Sequence, residues 1–309
     1  MRSRFPVRGV IAACGMLGLI MLAVGVLAQN GQAQRSAANA GRATAPASYP
    51  SAKLRDACRT EAAAMAKRLD ETFHFVIEPP FVVLGNMSSE RLSAHMKGSV
   101  QAPSEAMWAS YFRKKPTEPI IVLLLDDEKS YRLWAKKLFG DTDVSHFGYF
   151  KRSQRTLVMN IATGGGTLVH ELTHALMAYD FPDVSDWFNE GLSSLHEQCN
   201  IQRDRVVGLV NWRLPGLQKA VKDKTLRPLR ELVSRDDFYG QQMGVNYAHA
   251  RYFCMYMQER GLLKDFYACY RDHAKGEDAA VAAIQKTFGT GIDKVEPEFL
   301  QWVGTLKWE

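Results

Sequence analysis

The stretch GGGTLVHELTHALMAYDFPDVSDWFNEGL, residues 164–192, reads as helix, turn, helix, with its polar residues spaced to meet around one point. His170 and His174 stand four apart, so on a helix their imidazoles share one face about one turn apart, within reach of one divalent ion with bonds of roughly 2 Å. Pro182 stops the first helix, and Ser185 or Asp183 can cap the second. Asn189 and Glu190 then fall in its opening turns, facing back toward the imidazoles. Glu171, beside the first imidazole, is placed to take a proton from a metal-activated water. His170, His174 and Glu190 with one open position describe a catalytic zinc, whereas a structural zinc is closed by four ligands, usually with thiolates, and no cysteine lies in this stretch. Asp180, six residues after His174, competes for the third place, but it requires a tight turn where Met177 stands instead of glycine. The bland alternative is an amphipathic core helix carrying two hydrogen-bonded histidines.

HELTH at 170–174 followed by WFNEGL at 187–192 resembles the gluzincin metallopeptidases, in particular the peptidase MA-like branch related to the M1 aminopeptidases, over residues 145–260. The resemblance implies that Glu190 is the third zinc ligand and that another glutamate follows seven residues later, where Glu197 stands. Two helical turns put Glu197 on the face of Glu190, where it either orients a ligand or is a solvated carboxylate. The family also uses a downstream tyrosine to steady the oxyanion, and Tyr247 in GVNYAH, residues 244–249, resembles that element. Its phenol can donate to the oxygen that gains charge; the other reading packs it in the core of its own helix. His249 is a weaker rival for the same duty. No Gly-x-Met-Glu-Asn segment precedes His170, so the resemblance does not extend to aminopeptidase specificity, and Ser194 stands where thermolysin-like gluzincins place an aspartate. The group left by these departures is the MA-like set of secreted bacterial proteins.

Arg2, Arg4 and Arg8 ahead of an apolar run from Val10 to Leu27 form the basic and hydrophobic regions of an export signal, residues 1–28, with Val26-Leu27-Ala28 as a cleavage site. The run is long for a cleaved signal, so a signal anchor is the alternative. Most of the apolar segment follows Cys14 rather than preceding it, which argues against a lipoprotein. Residues 29–49 are rich in Ala, Gly, Gln, Ser and Asn and read as a flexible linker, leaving 50–309 for one well-filled domain. The protein is therefore expected in the periplasm or outside the cell. The formal charge is +6, of which the three leader arginines supply half, and no basic and aromatic cluster accompanies it, so nucleic acid is not an expected partner. Cys58, Cys199, Cys254 and Cys269 are an even set that permits two disulfides in an exported protein, with buried thiols as the alternative.

Along the domain, alanine content and apolar spacing predict a helix over 52–72, then a strand at 81–84, a buried strand at 120–125, a helix at 128–138 and a hairpin of 147–150 with 156–160. The second arm of that hairpin is expected to form the sheet edge over the cleft, where an extended peptide can add as a further strand. Gly164, Gly165 and Gly166 open the next helix. They lack the Lys-Ser/Thr of a phosphate loop. From Asp204 onward the chain reads as mainly helical, with Gly261 and Gly276 as capping glycines. The expectation is an α+β, zincin-like fold: a small mixed sheet, a helix carrying the HExxH motif, and a helical C-terminal half. Its expected activity is zinc-dependent hydrolysis of peptide bonds, with Glu171 and Tyr247 catalytic. The alternatives are a zincin-like envelope scaffold that no longer cleaves and a zinc amidase acting on cell-wall peptides.

Overall fold

A computed structural model of the chain describes residues 49–308 apart from 203, 274, 275 and 277. The leader expected at 1–28 and nearly all of the linker expected at 29–49 lie outside the described residues. Ser51 caps helix α1 (Ala52–Ala66) by accepting the Leu54 N–H. The helix ends short of Thr72 because Asp70 Oδ1 takes the Thr72 N–H at 3.1 Å and folds the chain into a turn. Strand β1 (His74–Glu78), which the sequence reading omits, pairs antiparallel with β2 (Phe81–Gly85). A helical run follows, also beyond that reading: α2 (Ser89–His95), a π-helical turn at Met96–Gln101 and α3 (Ala102–Ser110). Strand β3 (Ile120–Leu125) is buried throughout, and α4 (Glu128–Phe139) starts on a reciprocal cap between Asp127 and Ser130.

The hairpin of β4 (Gly148–Lys151) and β5 (Thr156–Asn160) completes a five-stranded mixed sheet of order β1-β2-β3-β5-β4, in which β2, β3 and β5 are parallel neighbours. β5 is therefore interior, paired with β3 on one side and β4 on the other, and the edge at this end of the sheet belongs to β4. This corrects the expectation that the second hairpin arm would be the edge. Both faces of the central strands are covered, which explains their unbroken apolar runs. Val82, Leu84, Ile121, Leu123 and Val158 face α1 and α4, whereas Phe81, Val83, Val122, Leu124 and Met159 face the larger core.

That larger core holds the two helices of the opening stretch. Helix α5 (Gly166–Asp180) ends before Pro182, and α6 (Asp186–Glu197) begins after Ser185, so the expected helix, turn, helix is present. Ser185 occupies the capping position, but its hydroxyl bonds Tyr270 at 2.8 Å rather than a helix N–H. The two helices run antiparallel, with the start of α5 against the end of α6: a Cβ on Gly166 would come 2.3 Å from the Glu197 carbonyl. A two-stranded hairpin follows, β6 (Cys199–Gln202) with β7 (Arg205–Gly208), and β7 is an exception to the helical reading from Asp204 onward. The rest of the described chain is helical: α7 (Leu214–Lys222), α8 (Leu229–Ser234), α9 (Met243–Glu259), α10 (Leu263–His273), α11 (Ala279–Phe288) and α12 (Ile292–Thr305).

Gly191 of α6 lies directly on α9. A Cβ there would stand 2.9 Å from the Ala250 carbonyl oxygen and 3.0 Å from Cys254 Sγ, so only glycine lets the two helices approach this closely. Cys58, Cys199, Cys254 and Cys269 are all free thiols, so of the two readings of the cysteine set the one without disulfides holds. Cys58 lies in the core under α1 and Cys254 in the core between α6 and α9, so the sheet separates these two. Among the described residues no helix is long and apolar enough to cross a membrane.

Candidate metal centre

Helix α5 brings His170 and His174 to one face, and the opening turns of α6 bring Glu190 opposite them. The His170 and His174 Nε2 atoms are 3.0 Å apart, and Glu190 Oε2 lies 3.4 Å from each. Donors bound tetrahedrally to one ion at roughly 2.0–2.1 Å stand about 3.3 Å from one another, so this triangle has the dimensions of a shared cation. Glu190 Oε2 is buried and finds no hydrogen-bond donor among the described residues. A buried carboxylate oxygen facing two imidazole nitrogens at 3.4 Å is costly unless a metal ion or a proton on one imidazole completes it.

The surroundings hold these ligands in one state. Asn189 Oδ1 lies 2.9 Å from His174 Nδ1, and Ser193 Oγ lies 3.1 Å from the same atom. The amide oxygen only accepts, so Nδ1 carries a proton and Nε2 is the atom turned to the triangle, free to give its lone pair to a bound ion. Tyr239 donates its hydroxyl to Glu190 Oε1 at 2.7 Å, which occupies one carboxylate oxygen and leaves the other for the cation. Asn189 and Ser193 are one helical turn apart, so the sequence carries a signal for both. Tyr239, in the segment before α9, carries none.

Glu171 sits next to the triangle without joining it. Burial raises its carboxyl above the ordinary range and the Glu190 charge adds to this, while the two imidazoles and the Phe150 N–H oppose it. The Phe150 contact follows from the sheet. Asn160 donates to the Phe147 carbonyl, which sets residues 147, 149 and 151 against β5 and leaves the main-chain groups of Gly148 and Phe150 on the open edge. Tyr247, at the start of α9, joins His170 and Glu171 in lining two cavities that flank the triangle. Burial raises its hydroxyl pKa, and the Glu190 carboxylate raises it further.

Three residues weighed in the sequence have other duties. Asp180 is fully engaged: Oδ1 accepts the Arg113 and Lys114 N–H groups at 2.8 and 2.7 Å, and Oδ2 accepts Tyr267 and Arg271 at 2.9 and 2.8 Å. It is a clamp between α5, the segment after α3 and α10, outside the cluster. The Glu197 carboxylate pairs with Arg213 at 3.0 Å rather than with a ligand, and the guanidinium lies 5.4 Å over the Tyr247 ring. His249 is absent from the cleft. It is buried against Phe299, rings 5.7 Å apart and nearly parallel, with neither nitrogen bonded among the described residues.

No protein-family profile matches the chain, and no curated protein sequence matches it.

His249 gives a pH prediction independent of the cleft. Burial lowers its pKa to about 3, so between the unfolded value of about 6.5 and that figure the unfolded chain binds a proton the folded one refuses. The pH-dependent cost of keeping it neutral is therefore absent above pH 6.5, and stability is lost as pH falls from there toward 3. His196, also lowered to about 3 by burial, adds to the same slope. Urea unfolding of His249→Phe at pH 7 and pH 4.5 is expected to show stability near wild type at pH 7 and a loss on acidification smaller by on the order of 2 kcal/mol. An unchanged pH slope would refute this origin.

Proposed function

We propose that this protein is an exported zinc-dependent peptidase of the gluzincin type, built on a zincin-like fold. The observation that carries the reading is the convergence of His170 Nε2, His174 Nε2 and Glu190 Oε2 to within 3.4 Å beside a carboxylate that takes no part in the triangle. The donor set of two imidazoles and one carboxylate suits zinc and leaves a fourth position open. Export rests on the basic and apolar leader.

Bound zinc supplies Lewis-acid activation of water and of a carbonyl oxygen. Every other part falls to the chain. Glu171, kept partly desolvated, accepts the proton of the attacking water and returns it to the leaving amine. Tyr247 donates to the carbonyl oxygen as charge develops there. Asn189 keeps the His174 tautomer fixed, and Tyr239 keeps Glu190 from rotating. The open edge of β4 offers Gly148 to an extended peptide, which can add there as a sixth strand.

The test is digestion of a mixed peptide pool by purified protein with zinc, with a chelator, and with zinc restored. Cleavage that is lost and regained supports the reading; its absence in all three defeats it. His174→Ala is expected to lose both the metal and the cleavage. At zinc a hundred times its dissociation constant, linkage gives about 2.7 kcal/mol to the wild type, a rise in Tm of roughly 5–10 °C. The same zinc should leave the Tm of His174→Ala unmoved.

A further inference from the structure

We propose that the cavity beyond Gly148 is a neutral, aromatic-lined subsite that selects a bulky apolar side chain on one fixed side of the cleaved bond; this rests on the peptidase reading and names its substrate class. The cavity measures about 770 Å³, against about 320 Å³ for the one on the other side of the triangle. Three large apolar side chains line it while standing about half exposed: Phe147 at 51%, Trp212 at 55% and Met243 at 47%. Single exposed apolar residues need no explanation, but three gathered around one cavity that also contains His170 and Glu171 form a patch that gains by being covered.

Charge decides what covers it. Apart from His170 and Glu171 of the centre itself, the ionic groups in the wall are Arg213 and Glu197, which neutralise each other at 3.0 Å and are both largely buried. A charged substrate side chain would have to be desolvated there with no partner other than Glu171, which the proposed chemistry occupies, whereas an aromatic one meets Trp212, Phe147 and the flexible thioether of Met243. The smaller cavity is different in kind: Arg152 stands in its wall, its side chain bonded among the described residues to the Pro182 carbonyl alone. Position follows from the sheet. Gly148 belongs to the larger cavity and Phe150 to the smaller, so a peptide along the β4 edge passes from one to the other with Glu171 between them.

Two measurements test this. Cleavage sites in a peptide library, read by mass spectrometry, are expected to show Phe, Tyr, Trp, Leu or Met enriched at one position on one side of the bond. Trp212→Ala should lower kcat/KM on an aromatic peptide about tenfold or more, yet change an alanine-substituted peptide less than about twofold. Equal losses on both peptides, or acidic or basic residues enriched at that position, would overturn the proposal. The second measurement is binding of the same two peptides to zinc-loaded Glu171→Gln by calorimetry, which needs no turnover. Tighter binding of the aromatic peptide that Trp212→Ala abolishes supports the subsite even if no peptide is ever cleaved, so failure of the peptidase reading stays separate from failure of this one. Equal binding of the two peptides counts against it.

Discussion

Glu171→Gln is expected to keep the zinc and the fold while losing about 10²–10⁴-fold in kcat, the usual contribution of a positioned general base. The amide has nearly the size of the carboxyl and removes its basicity. The triangle of His170, His174 and Glu190 does not include Glu171, so metal content by elemental analysis should equal that of wild type. The Phe150 N–H that meets the carboxylate can meet the amide oxygen as well, so the edge of the sheet should not shift. Matching turnover by the variant and wild type would remove Glu171 from the chemistry. Loss of metal would instead move it into the ligand set.

The second large effect concerns stability. Asp180→Ala is expected to destabilise the protein by roughly 3 kcal/mol, the low end for removing one partner of a buried ion pair, because Arg271 keeps Asp272 at 2.8 Å. Its side chain is fully buried, and the Arg271 it meets at 2.8 Å is 8% exposed. Two backbone N–H groups and the Tyr267 hydroxyl lose their acceptor in the same step. A fall in Tm of roughly 10 °C should follow, with one zinc still bound per folded molecule. That pairing separates the clamp from the ligand role that spacing alone left open for Asp180. Metal lost with stability intact would restore the ligand role.

The helix pair and its two imidazoles were legible because the information is local: a four-residue spacing, a proline stop and a short turn fix where the side chains of α5 and α6 meet. Central strands β2 and β3 were legible for a similar reason, since their apolar runs require cover on both faces. What escaped depends on distant partners. Which hairpin arm forms the edge is set by the parallel pairing of β5 with β3, a contact that neither arm encodes by itself. Tyr239 reaches Glu190 from 49 residues downstream, and Phe150 reaches Glu171 through its backbone, which has no residue signature. His249 and Glu197 lay on helices as expected, but the faces they present depend on α12 and on Arg213. The cysteine count suggested bridges without showing that Cys58 and Cys254 lie on opposite sides of the sheet.

The bare contact of Gly191 with Ala250 reaches beyond packing. It gears the rod that carries Glu190 to the rod that carries Tyr247, so a displacement of either is shared by both. A bulkier residue at position 191 would therefore shift Glu190 and Tyr247 relative to each other in a single step. Phe147 and Trp212 hang from connecting segments outside the geared pair, so a change of side chain at either leaves the spacing of the two rods as it is.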